Sequence, residues 1–91
     1  MIKFSQKITI PSYVLMREIA GESVILNLDT ETYFGLDAIG TRMWSMLTES
    51  ETIQDAYESL LGEYDVDPDT LRNDLTRLSE QLVSHGLLAL S

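Results

Sequence analysis

The chain contains no cysteine, which excludes a disulfide framework, a thiolate nucleophile and a Cys-ligated metal centre, and makes a reducing compartment, the cytoplasm, the expected location. Its only histidine is His85, so a His-based metal cluster or catalytic dyad would lack partners. Basic side chains are also scarce: six Lys and Arg stand against fifteen Asp and Glu, a formal charge of −9. Binding to phosphates depends on concentrated Lys and Arg, so nucleic acid and anionic membrane surfaces are disfavoured as partners. No apolar run approaches the ~18 residues a membrane helix needs. The start, Met1-Ile2-Lys3-Phe4-Ser5-Gln6, lacks the apolar region that precedes a signal-peptide cleavage site. No repeat, low-complexity tract or linker interrupts the chain. With 91 residues, 44% of them hydrophobic, it is expected to be one domain over 1–91, with one core and no deep cleft, burying about two-thirds of its surface on folding.

What is present is a switch from a two-residue rhythm to a helical one. Lys7-Ile8-Thr9-Ile10 alternates, Pro11 removes a donor, and Tyr13 to Ile19 reads as the first main strand. After a turn at Ala20-Gly21-Glu22, the segment Ser23 to Leu28 places Val24, Leu26 and Leu28 on one face and Ser23, Ile25 and Asn27 on the other, the pattern of a half-buried strand. Asp29-Thr30-Glu31-Thr32 is short and polar enough for a hairpin loop, after which Tyr33-Phe34-Gly35-Leu36 returns antiparallel. From Asp37 the period changes. Leu36, Ile39, Met43, Trp44 and Leu47 mark one helix face, with Asp37 as N-cap. Thr52 and Asp55 open a second helix whose stripe is Ile53, Ala56, Tyr57, Leu60, Leu61 and Tyr64. Asp67-Pro68 starts a third helix, with Leu71, Leu75, Leu78 and Leu82 as its seam and Gly86 as C-terminal cap. Leu87 to Leu90 is too short for a helix and is expected to tuck back onto the core. The expected fold is α+β and winged helix-turn-helix-like: a three-stranded antiparallel sheet followed by a three-helix bundle.

Chemistry-bearing patterns are few. Asp65-Val66-Asp67-Pro68-Asp69 alternates acids as a calcium loop does, but Thr70 replaces the required glycine and Thr76 the closing glutamate, so helix capping explains these acids better. Trp44 could be a stacking platform, yet its place on the apolar stripe favours core packing. Arg72 and Arg77 could anchor carboxylates or carbonyls of a ligand, or pair within the helix with Asp69, Asp74 and Glu80. A winged-helix fold usually reads DNA, but those same acids on the third helix oppose it. No metal, cofactor or catalytic site is read from the sequence.

The strand Tyr33 to Leu36 carries no charge or proline to guard its edge, and a free edge can accept another strand. Flanked by the third helix, it would form a groove suited to an extended peptide, held by main-chain bonds along the strand and by pockets along the helix. The expected peptide-binding residues are Tyr33, Phe34, Gly35 and Leu36 on the strand, with Leu71, Asp74, Leu75, Arg77, Leu78 and Gln81 on the helix. At least one of Tyr33 and Phe34, which point to opposite faces, is expected to line the groove.

Val24-Ile25-Leu26-Asn27-Leu28-Asp29, Tyr33-Phe34-Gly35-Leu36-Asp37, Ile39-Gly40 and Met43-Trp44-Ser45-Met46-Leu47, followed by Asp74, Leu75, Leu78, Leu82 and Gly86-Leu87-Leu88, resemble the PqqD-like proteins over about Tyr13 to Leu88. These are the peptide-recognition elements of pathways that modify ribosomally made peptides, including the stand-alone leader-binding proteins of lasso-peptide clusters, toward which the Trp-containing first helix leans. The resemblance implies a non-catalytic adaptor without a cofactor. It would capture the leader of a precursor peptide as an added strand, deliver it to a modifying enzyme or leader peptidase, and exist as a monomer or weak dimer. The alternatives are a pyrroloquinoline quinone biosynthesis peptide chaperone and a winged-helix regulator. Many relatives carry a glycine just before the aromatic pair. Thr32 stands there instead, so the hairpin turn must avoid positive φ or lean on Asp or Thr side-chain bonds.

Overall fold

The computed structural model describes residues 2–91. Strand β1 (Ile8–Thr9) is followed by β2 (Val14–Ile19), β3 (Glu22–Asn27) and β4 (Thr32–Leu36), then by helices α1 (Ala38–Glu49), α2 (Ile53–Glu63) and α3 (Pro68–Ser84), and finally by β5 (Ala89–Leu90). The antiparallel sheet has the order β2-β3-β4, and a separate two-stranded ribbon joins β1 to β5. The expected meander and three helices are therefore present, and the C-terminal leucines do fold back: Leu87 and Leu88 are buried and Leu90 pairs with Ile8.

Each helix begins at the cap its sequence signals. Asp37 accepts from the Gly40 amide at 2.8 Å, Thr52 from that of Asp55 at 3.2 Å, and Asp67 from that of Thr70 at 2.9 Å. Gly40 sits so close to the first cap that a Cβ would come within 3.2 Å of the Asp37 carboxylate. Helix α3 ends in a Schellman motif, in which the Gly86 amide donates to Val83 O and that of Leu87 to Leu82 O, with Gly86 at φ 71°. Asp67 is thus committed to helix capping and hydrogen-bonds both the amide and the hydroxyl of Thr70.

The core lies between the sheet and the helices and includes Ile25, Trp44, Leu47, Ile53, Leu60, Leu75 and Leu82. The face of β3 turned to it is the more polar of the two. Ser23, Ile25 and Asn27 are buried, whereas Val24 and Leu26 are half-buried on the outer face and Leu28 is exposed. The inversion is possible because both polar side chains are satisfied: Ser23 shares a 2.7 Å hydrogen bond with Thr41 on α1, and Asn27 makes three. Hydroxyl and amide side chains here do the fastening that aliphatic packing usually does.

Two turns need left-handed backbone. Ala20 and Gly21, at φ 55° and 84°, join β2 to β3 as a two-residue hairpin loop. The four residues between Asn27 and Thr32 join β3 to β4, with Glu31 at φ 59°. In that glycine-free turn the positive φ is accepted at Glu31, while Asn27 holds the Asp29 and Thr30 amides and the Thr30 and Thr32 hydroxyls bond each other at 2.7 Å.

On the surface, Arg42 of α1 grips Glu63 of α2 through two hydrogen bonds of 2.6 and 2.7 Å. That hydrogen bonding holds the Glu63 carboxyl below its ordinary range and raises the Arg42 guanidinium. Because the folded-state value of Glu63 is depressed, its contribution is present above the unfolded carboxylate range, about pH 4.3, and fades as pH falls through the folded value. Glu63→Gln is expected to be less stable than the parent at neutral pH, and the gap should close on acidification in urea titrations. A second expectation concerns Ser79, whose fully buried hydroxyl on α3 has no hydrogen-bond partner among the described residues. Ser79→Ala removes that unpaired group and should raise stability by about 1 kcal/mol in the same measurement.

Candidate functional site

In β4 the side chains alternate. Phe34 and Leu36 lie on the inner face with their partners Ile25 and Ser23, whereas Tyr33 and Gly35 lie outward beside Leu26 and Val24. β4 pairs only with β3, so its other edge is unpaired in the sheet. β1 and β5 pair with each other rather than with β4. Every second residue of β4 therefore aims its N–H and C=O away from β3, toward the side on which α3 runs.

Between β4 and α3 lies an open groove of about 370 Å³. Phe34, Gly35 and Leu36 form one wall, while Asp74, Arg77, Leu78 and Gln81 form the other. Its floor comes from the start of α1, including Ile39, Gly40 and Met43. Through Ile39, Met43 and Asp74 the groove adjoins a smaller apolar cavity of about 110 Å³, walled also by Leu60, Tyr64, Val66 and Leu71. The α3 wall differs in character from this recess: Asp74 and Arg77 pair loosely at 3.6 Å and both remain accessible to solvent, so either can turn to a ligand at small cost. At the far end the His85 ring meets Phe34 edge-on at 5.0 Å.

Seven of the ten residues expected from the sequence line this groove: Phe34, Gly35, Leu36, Asp74, Arg77, Leu78 and Gln81. Leu71 lines the adjoining cavity. Tyr33 does not enter the groove with its side chain, which is 74% exposed on the outer face of the sheet; only its backbone belongs to the edge. Leu75 is 0% exposed in the core, as is Leu82 further along the same seam, and so neither lines the groove. Arg72 faces away, stacked over the Phe4 ring at 4.0 Å. Sequence reasoning missed the contribution of α1. Ile39, 61% exposed although it falls on the apolar stripe, is the residue whose mismatch between pattern and burial exposes that omission.

Among the described residues, no helix is long and apolar enough to cross a membrane. A search of curated proteins found no match. Among solved structures, "TbiB1 in Complex with the TbiA(beta) Leader Peptide" is 39% identical, with a TM-score of 0.78 over 87% of this chain and 92% of that one. "Lasso peptide synthetase B1 complexed with the leader peptide" is 17% identical with a TM-score of 0.77, covering 91% of this chain and 98% of that one, and shares the fold. The family model described as coenzyme PQQ synthesis protein D (PqqD) matches residues 22–88, from the first residue of β3 to the buried Leu88, and the chain belongs to the PqqD family.

Proposed function

We propose that this protein is a non-catalytic adaptor that takes the leader region of a ribosomally made precursor peptide as an extra strand on β4 and presents it to a modifying enzyme or leader peptidase. The observation that carries the reading is the unpaired edge of β4 facing α3 across an open groove. An extended peptide placed there would complete the hydrogen bonding of the edge. Its alternate side chains would meet Leu36, Met43 and Leu78 on the apolar side and Asp74, Arg77 and Gln81 on the polar side. The adjoining cavity, at about 110 Å³, has room for one apolar side chain. The 39% identical neighbour was solved with a leader peptide, which supports the same class of guest and the lasso-type branch of these pathways. The groove is suited to holding rather than cutting: its polar side chains are two acids, of which Asp37 is engaged in capping α1, a guanidinium and an amide, and the one imidazole is engaged at Nδ1 with the Gln81 carbonyl at 2.8 Å.

The opposite edge, on β2, is less inviting, since Arg17 and Glu18 fall within its six residues and charge discourages edge pairing. DNA recognition is disfavoured by the acids on the exposed part of α3, notably Asp69, Asp74 and Glu80.

Strand addition is tested by proline at each of two neighbouring positions. Amides alternate along β4, so one of Phe34 and Gly35 donates toward β3 and the other toward the open edge. Phe34→Pro and Gly35→Pro are titrated singly with the TbiA(beta) leader peptide by calorimetry, alongside the parent protein. The variant that loses the edge-facing amide should keep its folded circular-dichroism spectrum and bind about tenfold more weakly, as expected for one main-chain hydrogen bond. Two folded proline variants that bind as tightly as the parent would refute strand addition on β4.

A further inference from the structure

Asn27, 2% exposed at the end of β3, joins three backbone groups from two separate parts of the chain. Its Oδ1 accepts from the amides of Asp29 and Thr30, at 3.0 and 3.1 Å, and its Nδ2 donates to the carbonyl of His85 at 3.2 Å. Two amide donors on one side and a carbonyl on the other leave only one orientation of the side-chain amide. The first pair of bonds shapes the turn that launches β4. The third fastens that turn to the C-terminal cap of α3. Among the described residues, it is the only hydrogen bond from the three-stranded sheet to α3 and its cap.

The groove walls are β4 and α3, so Asn27 is attached to both without lining the groove itself. The surroundings are shaped for this attachment. Gly86 adopts φ 71°, which ends the helix with the His85 carbonyl turned to Asn27, and a Cβ at Gly86 would stand 3.2 Å from Asn27 Nδ2. The His85–Phe34 contact lies at the same end of the groove. At the other end, near Asp74 and Ile39, the walls open toward the apolar cavity. At the His85 end the sheet is hydrogen-bonded directly to the cap of α3, whereas at the other end it is hydrogen-bonded to α1 through Ser23 and Thr41.

We propose that Asn27 is a positioning residue: it fixes the separation of β4 from α3 and thereby sets the affinity of the groove for an added strand. The affinity part rests on the strand-addition reading above, whereas the separation part stands on the hydrogen bonds alone. A guest strand must reach main-chain donors on β4 and side chains on α3 at once, so a loosened wall weakens binding without removing any residue that touches the guest.

Asn27→Asp isolates the link. The carboxylate keeps the acceptor for the Asp29 and Thr30 amides but sets oxygen against oxygen at the His85 carbonyl. The chain has no cysteine, so spin labels can be placed on Tyr33→Cys and Ser84→Cys, both exposed positions, and their separation read by pulsed electron resonance without any guest. Affinity for the TbiA(beta) leader peptide is measured by calorimetry on unlabelled protein, well below the unfolding midpoint. The expected result is a broadened or shifted label separation with about tenfold weaker binding. A purely structural role would lower the unfolding midpoint yet leave both readings unchanged, and that result overturns the proposal. If the parent protein itself fails to bind the peptide, the strand-addition reading and the affinity part fall together, and the label separation decides the positioning part. Should Asn27→Asp not fold, Gly86→Ala, which presses a methyl group toward Asn27 Nδ2, is put through the same two measurements, with the same outcomes supporting or overturning it.

Discussion

An unpaired row of main-chain groups along β4 is the constraint on which the rest of this structure turns. A small sheet normally hides such a row, and this chain has two terminal segments of strand character that could have covered it. They pair with each other instead: Ile8 and Thr9 stand opposite Leu90 and Ala89 on a separate ribbon, beside which Lys7 and Ser91 exchange backbone hydrogen bonds, and the N-terminal arm is further held by Phe4, buried against Tyr57 and beneath Arg72. With β1 and β5 paired to each other, neither lies on the β4 edge. The cost of an open edge is a tendency to pair with unintended strands, and α3, across the groove from that edge, limits the side from which another strand can come.

Much of this was legible in the sequence because it depends on local signals. The caps at Asp37, Thr52 and Asp67, the proline at the first position of α3 and the glycine after its end are short-range chemistry, and all three helices begin where those residues place them. Hydrophobic period identified the strands and the helix stripes. It failed where burial and hydrophobicity part company. Along β3 the apolar set Val24, Leu26 and Leu28 suggested one buried face, but the buried side is Ser23, Ile25 and Asn27, because Thr41 and the α3 cap supply polar partners from distant parts of the chain. No pattern within six residues could reveal partners 18 and 58 residues away.

The candidate site was legible in outline for a similar reason. Edge strand and flanking helix follow from element order, so Phe34, Gly35, Leu36 and the α3 residues Asp74, Arg77, Leu78 and Gln81 could be gathered without coordinates. Rotation about a helix axis could not be judged to the same precision. Leu75 belongs to the core and Leu71 to a recess beside the groove, although both share the stripe with Leu78. The floor contributed by Ile39, Gly40 and Met43 was hidden because Ile39 shares the apolar stripe of α1 with the buried Met43, Trp44 and Leu47, yet is itself 61% exposed.

Polar burial on the inner face of β3 and openness along β4 are two sides of one arrangement. An aliphatic inner face would pack against whatever helix surface best fitted it, and the spacing between sheet and helix would follow from side-chain volume. Hydrogen bonds from Ser23 to α1 and from Asn27 to the α3 cap instead set that spacing by bond length and direction, at the price of leaving no tolerance for a missing partner. For the strand addition proposed above, in which a guest would meet a backbone on one side and side chains on the other, a spacing held by directional bonds is more useful than one held by close packing. The apolar surface given up on the inner face remains on the outer one, where Leu15, Leu26 and Tyr33 form a row across the three strands, and the modest hydrophobic core of a 91-residue chain is the consequence.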